Sequence, residues 1–496
     1  MPRLLGGFFE LSTTSPYSIV AMKAPQPSSR GLSPAYFTAD REVATAILEL
    51  ETFIQDNPGW SISDITDQQG HQYVDLVMEG GGMLGIALVG YVYALEKAGI
   101  RFLRLGGTSA GSINALLMAA AGPRDEASTD WIIRQLANKN FYDFVDGDID
   151  AKRFIADLFA RAKTRLGNGP GAWLRNRVDL AKLGASGLQV IDNLRDHKGL
   201  NPGDHFLDWI AELLDEKQVS SIAALKALRR KLPPGGLWRR PENGGPSSEY
   251  NPPSLERVAI VAADISTQTK AIFPEMAELY WHHPDQTHPA NLVRASMSIP
   301  FFFEPFEVKN IPGSKPTQTS AAELDRYQQA WRNHGYMGPI PKQVLFIDGG
   351  IMSNFPINLF HNTHSMPEAP TFGVKLGLDR NDVQPTKSFL QLLGAIFDTA
   401  RTQYDFDFIH LNADYRHLVY CLDVKGYNWL DFDMKPEEMR ALFRIGVRGA
   451  VAFLQDFQWD DYKELRRKKQ EVVEQSEKME SKHHHTPPSL AVPVAI

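Results

Sequence analysis

The chain has 496 residues, 43% of them hydrophobic and 22% charged, the balance of a globular protein with a large core and unlike a disordered or collagenous polymer. Its 52 Lys and Arg against 59 Asp and Glu give a formal net charge of −7, which leaves no basic surplus to neutralise a phosphate backbone and argues against nucleic acid as a partner. The single cysteine, Cys421, excludes an intrachain disulfide framework.

A cytoplasmic location is therefore expected, with peripheral membrane contact, or export without a recognisable signal peptide, as the alternatives. The N-terminal apolar run is short, broken by Gly6 and Gly7 and followed by Glu10, which is a poor signal peptide. No window approaches the roughly 18 uninterrupted apolar residues of a membrane span. At this length one large domain with an insertion is favoured over two domains.

In chain order, residues 1–39 read as a disordered leader, Ser-, Pro- and Gly-rich from 12 to 37 and without hydrophobic period. Residues 40–73 hold an N-terminal helix and a linker: Asp40 is placed to cap, and Val43, Ile47, Leu50 and Ile54 recur at helical spacing until Pro58 and Gly59. A strand over 73–78, a Gly80-Gly81-Gly82 turn and a helix through Leu84, Leu88, Val92 and Leu95 follow. A second strand over 102–105 turns through GGTSAGS into the apolar helix 113–121. Strand–helix–strand–helix with links this short predicts parallel strands and right-handed crossovers.

Residues of about 124–250 alternate helical segments with Gly- and Pro-rich links and read as a helical insertion or lid. The sheet pattern resumes at 258–265, 343–348 and 417–424, and a long helix over about 437–454 closes the domain. Residues 456–496 read as a charged, solvated helix and a disordered tail. His483 to His485 lie in that Pro-rich tail with no further ligand near in sequence, so no metal is expected there.

Gly107-Thr108-Ser109-Ala110-Gly111 fits G-x-S-x-G. Between an entering strand and a leaving helix it puts Ser109 on an elbow, with its hydroxyl at a helix N-terminus that favours developing negative charge. Gly80-Gly81-Gly82-Met83-Leu84-Gly85 fits G-x-G-x-x-G. A dinucleotide site is disfavoured because the next strand ends in the serine elbow and not in the acidic ribose ligand. A Walker A loop is excluded because no Gly-Lys-Ser/Thr follows. The alternative is an oxyanion hole, in which backbone N–H groups of the glycine run face the carbonyl oxygen under attack. Asp348 ends the apolar strand and precedes Gly349-Gly350, which makes it the candidate base; with an ordinary pKa near 3.9 it would depend on close geometry and strong oxyanion stabilisation.

GGGxxG after a strand, GTSAGS one helix later and DGG far downstream, in that order, resemble the patatin-like phospholipase family. The blocks VRASMSIPFFFEP (293–305), VAADISTQTKAIF and LDFDM agree with its bacterial members. The resemblance covers residues 74–455, with the core motifs in 76–361. It implies an α/β fold, a three-layer α/β/α domain with a central, mostly parallel sheet and the helical insertion. It also implies a calcium-independent Ser109–Asp348 dyad, with Ser109 as nucleophile and Asp348 as proton acceptor, that cleaves acyl esters of phospholipids or other membrane lipids without a metal or other cofactor. The oxyanion hole maps to Gly80, Gly81 and Gly82, and the motif glycines are Gly85, Gly107, Gly111, Gly349 and Gly350. One position departs: the family usually carries Arg or Lys where this chain has Leu84.

Two rivals stay open. One is a Ser-His-Asp esterase using a histidine downstream of Asp348, such as His361, His364, His410 or His417. The other is a catalytically weak lipid-binding protein, for which Leu84 speaks. Phe301, Phe302, Phe303 and Phe306 are expected to be mostly core, a minority lining an acyl channel or touching a bilayer. Nothing in the sequence names an activating protein partner.

Overall fold

A computed structural model of the chain describes residues 31–147, 198–241, 244–315, 317, 319–360, 366–377 and 412–483, with a few positions between 383 and 410. Most of the expected leader, residues 148–197 of the expected insertion, His361, His364 and the tail from 484 lie outside the described residues.

The chain enters through a short helix α1 (Ala35–Thr38) and α2 (Arg41–Asp56). The Asp40 carboxylate accepts from the N–H groups of Glu42 and Val43 and so satisfies two of the orphan donors of α2, whose buried face is Val43, Ala46 and Leu50. After the two-residue β1 (Ile65–Thr66) come β2 (Gln72–Met78), α3 (Gly85–Lys97), β3 (Ile100–Thr108) and α4 (Ala110–Ala120). The segment that follows carries α5 (Thr129–Asn138), β4 (Gly199–Asn201), α6 (Asp204–Glu216), α7 (Ile222–Arg230), β5 (Trp238–Arg239) and β6 (Ser248–Glu249). Next are β7 (Val258–Asp264), β8 (Thr269–Phe273), α8 (Ala290–Ser296), β9 (Phe301–Phe303), β10 (Phe306–Lys309), α9 (Ala321–Asn333) and β11 (Gln343–Asp348). The chain continues with β12 (Thr371–Leu376), β13 (Val419–Leu422), α10 (Pro436–Asp456) and α11 (Trp459–His483).

Five strands in the order β13-β12-β2-β3-β7 run parallel, and antiparallel strands flank them. With helices packed around this sheet the fold is the three-layer α/β/α arrangement. All seven residues of β7 are buried, and so are six of the seven of β2, as expected for strands covered on both faces. Helices α3 and α10 touch backbone to backbone: a Cβ on Gly90 would stand 2.0 Å from the Phe443 carbonyl oxygen, and one on Gly446 1.9 Å from that of Ala87. Around this contact α10 buries Leu442, Phe443 and Val447 completely, each stabilising the fold by about 1.5–3 kcal/mol.

Two expectations need correction. The strand β12 has no counterpart in the sequence reading, although it pairs with β2 and β13. The helix α11 is not a solvated one in its first turns: Trp459, Tyr462, Lys463 and Arg466 are buried. Lys463 pairs with Asp64 at 3.0 Å and Arg466 with Asp414 at 2.7 Å, so this face carries charge into the core because acidic partners from other elements meet it there.

Candidate active site

Ser109 lies between β3 and α4 with φ 50° and ψ −120°, a left-handed conformation that costs a non-glycine residue about 1–3 kcal/mol and persists only where surrounding bonds hold it. They do. Its N–H donates to Ser296 Oγ at 2.9 Å, and that hydroxyl donates to the Val261 carbonyl at 2.6 Å. The Ser112 hydroxyl donates to the Ser109 carbonyl at 2.6 Å, and Thr108 Oγ1 to that of Ser353 at 2.9 Å. The motif glycines explain the tight elbow: a Cβ on Gly107 would lie 2.5 Å from the Gly111 backbone, and one on Gly111 2.1 Å from the Met78 carbonyl oxygen. Gly85 likewise admits Ala110, whose Cβ would be 2.9 Å from its own.

Strand register brings Asp348 to the same place. Strand β8 lies along β7 from Ile260 to Asp264, so β3, opposite Val258–Val261, and β11, opposite Ala262–Asp264, share its other edge. β3 is parallel to β7 and β11 antiparallel, so the two meet head-on: Thr108 faces Val261 and Asp348 faces Ala262. Asp348 is 4% exposed, as is Ser109. Its side chain accepts from the Gly350 N–H at 2.7 Å, and its own N–H donates to the Ser298 carbonyl at 2.8 Å. Gly349 passes so close to β7 that a Cβ would stand 2.1 Å from the Val261 carbonyl oxygen.

The block VRASMSIP thus serves both ends. Ser296 holds the elbow, Ser298 holds Asp348, and the buried Arg294 guanidinium bonds Ser298 Oγ and the carbonyls of Pro202 and Glu304. Burial pushes the Arg294 guanidinium down to about 10, with Asp146, Asp204 and Glu304 opposing the shift. Sequence reasoning recorded this block and missed the roles of Ser296 and Ser298; their partners are far away in the chain, and no local pattern marks them.

The glycine run lies against the elbow: a Cβ on Gly80 would be 3.1 Å from Ser109 Cβ. The expectation that Gly80, Gly81 and Gly82 all supply oxyanion donors fails at Gly80, whose N–H is taken by the Asn354 carbonyl at 3.0 Å. The N–H groups of Gly81 and Gly82 have no acceptor among the described residues. Gly82 has φ +52°, and the next N–H, of Met83, donates to the Trp429 carbonyl at 2.9 Å. Leu84 is 8% exposed and packs in the core, so the position that is usually basic faces apolar side chains.

From Ser109 a cleft opens, lined almost wholly by apolar side chains. α4 gives Ile113 and Leu117, and the segment after it gives Ile132, Leu136, Phe144 and Trp209. Phe432 closes it from the C-terminal part of the chain and stacks on Phe302, ring centroids 4.8 Å apart. None of the four phenylalanines of the 301–306 run lines it: Phe302 and Phe303 are buried behind it and Phe301 is 53% exposed. Among the described residues, no cluster of three or more His, Cys, Asp or Glu could hold a metal ion.

A strained serine elbow, a glycine turn with two open N–H groups and an apolar cleft define the class of a lipid hydrolase. Residues 76–361 match the patatin-like phospholipase family, and the chain belongs to it. YqhO of Bacillus subtilis (strain 168), an uncharacterised protein, is 26% identical over 390 residues, 78% of this chain and 99% of that one. Among solved structures, VipD from Legionella pneumophila is 14% identical with a TM-score of 0.35, over 80% of this chain and 70% of that chain. The ExoU-SpcU complex from the type III secretion system of Pseudomonas aeruginosa gives 15% identity and a TM-score of 0.29, over 77% of this chain and 51% of the other.

Proposed function

We propose that this chain is a phospholipase A or lysophospholipase type enzyme that cleaves carboxylic esters of membrane lipids with Ser109 and Asp348. The carrying observation is the head-on meeting of β3 and β11 on one edge of β7, which supports a direct Ser109–Asp348 pair. Asp348 takes the hydroxyl proton as Ser109 Oγ attacks the ester carbonyl. The oxyanion is met by the N–H groups of Gly81 and Gly82, aided by the positive end of α4. The protonated Asp348 then gives its proton to the leaving alcohol, and water, activated by the same carboxylate, releases the fatty acid. The cleft takes the acyl chain, which assigns the segment after α4 the role of an acyl-binding insertion.

In this reading lipid reaches the cleft by peripheral contact; no helix among the described residues is long and apolar enough to cross a membrane. The dyad is favoured over a triad because strand register sets Asp348 beside the serine elbow, whereas His417, one of the two described histidines among the four candidates, lines a separate groove with Asp456 and Tyr462.

A fluorophosphonate probe tests the reading. Labelling of the wild type that disappears in Ser109→Ala is expected, and Asp348→Asn should keep the fold and lower turnover by about two orders of magnitude or more. A wild type that resists labelling at Ser109 would make the protein a lipid binder. Loss of all turnover on replacing one histidine would restore the triad.

A further inference from the structure

Beneath the glycine turn lies a buried ion pair that the reaction above does not use. Lys375 Nζ, on β12, stands 3.3 Å from Oε1 of Glu79, the residue that joins β2 to Gly80, with side-chain exposures of 5% and 4%. A lysine and a glutamate removed from water recover their lost hydration only where further hydrogen bonds complete the pair. Glu79 has them: Oε1 accepts from Asn354 Nδ2 at 3.0 Å, and Oε2 from the Leu376 N–H.

Asn354 connects this pair to the chemistry. Its Nδ2 donates to the Gly80 carbonyl at 3.1 Å, and its own carbonyl accepts from the Gly80 N–H at 3.0 Å. Its Oδ1 sits 2.5 Å from where a Cβ of Gly80 would be and 2.8 Å from where one of Gly350 would be. The preceding residue, Ser353, accepts from Thr108 Oγ1. Two consecutive residues therefore touch the serine elbow, the glycine turn and the turn after Asp348.

We propose that Asn354, held by the Glu79–Lys375 pair, is the clamp that keeps these three turns in register, so that a cation on β12 steadies the glycine turn in a chain whose Leu84 position supplies none. None of the three side chains lines the cleft, so they act as positioning residues. The proposal rests on the Ser109 reading above.

The test uses the full chain, a p-nitrophenyl acyl ester and the fluorophosphonate probe. Asn354→Ala and Glu79→Gln should each lower kcat by about tenfold or more with KM within about twofold, the mark of lost positioning and not of lost binding, and should slow labelling of Ser109 in parallel. Lys375→Arg keeps the charge and should stay within about threefold of wild type. Removing one partner of a buried pair endangers the fold, so the doubly neutral Glu79→Gln/Lys375→Met is the companion variant; it should melt near the wild type yet remain slow. Folded Asn354→Ala or double variant with wild-type kcat and labelling rate overturns the clamp, whatever the change in melting temperature. A wild type unlabelled at Ser109 overturns the Ser109 reading and the clamp with it; a labelled wild type with equally labelled variants overturns the clamp alone.

Discussion

Gly81 and Gly82 are neighbours in one turn, yet their tolerance to a methyl group differs. Gly82 has φ +52° and would put a Cβ 2.2 Å from the Trp429 carbonyl oxygen, a backbone atom that cannot rotate away. Gly81 has an extended φ of 179°, and its Cβ would meet the end of the flexible Leu376 side chain at 2.6 Å. Gly82→Ala should therefore lose at least about 1–2 kcal/mol of stability from the backbone alone and most of its turnover, while Gly81→Ala loses less of both; denaturant melts and kcat separate them. Ser296→Ala strips the Ser109 N–H of its acceptor and the Val261 carbonyl of a donor, both buried. About 1–3 kcal/mol of stability should go with it, and turnover should fall as the strained elbow relaxes. The serine elbow, the glycine run and DGG were legible because each is a contiguous motif whose glycines answer local steric needs. Ser296 was not, because its bond to Ser109 spans 187 positions and the hydroxyl looks like any other serine in a short helix.

Among elements, α11 shows why charge pattern alone misleads. Its Lys- and Arg-rich run reads as solvated, but the partners that allow burial, Asp64 and Asp414, lie in a loop near the N-terminus and in the turn before β13. Asp414 is pushed up by burial, but hydrogen bonds and charge from Lys469 and Arg466 outweigh this and hold its carboxyl below the usual carboxylate range. A depressed folded pKa contributes stability that is present above the unfolded value near 3.9 and lost as pH falls through the folded value. Protection against hydrogen exchange across Trp459–Arg466, taken relative to the intrinsic rate at each pH, should thus fall on acidification below about pH 4, and Asp414→Asn should show the reduced protection already at neutral pH. Full protection at neutral pH in that variant would show that apolar packing of Trp459 and Tyr462 suffices. The strand β12 escaped notice for a related reason: TFGVKL is six residues with a glycine and a lysine inside, and its burial follows from its place between β2 and β13, not from any alternation.

Across the whole molecule, the cleft is assembled from parts distant in sequence, and its shape follows from their packing. Leu136→Trp on α5 should fill part of it and shift the preferred substrate toward shorter acyl esters, with KM for long chains rising more than for short ones. The fold class was legible, since alternating strands and helices with short links leave few topologies; the lining of the cleft was not, because its aromatic residues are scattered over Phe144, Trp209 and Phe432. Residues 76–361, the span of the family match, omit β12, α10 and Trp429. A fragment of that span should fail to give a cooperative melt or any ester hydrolysis, because β2 loses a partner strand, α3 loses its closest helix and the glycine turn loses the Trp429 carbonyl.

The collinear approach of β3 and β11 along one edge of β7 carries a consequence for the newly made chain. Ser109 emerges from synthesis some 240 positions ahead of Asp348, and no nascent segment ending before β11 can hold both. In the proposed Ser109–Asp348 dyad the centre therefore stays incomplete until β11 docks beside β3 on the edge of β7, with β12 and β13 still to follow.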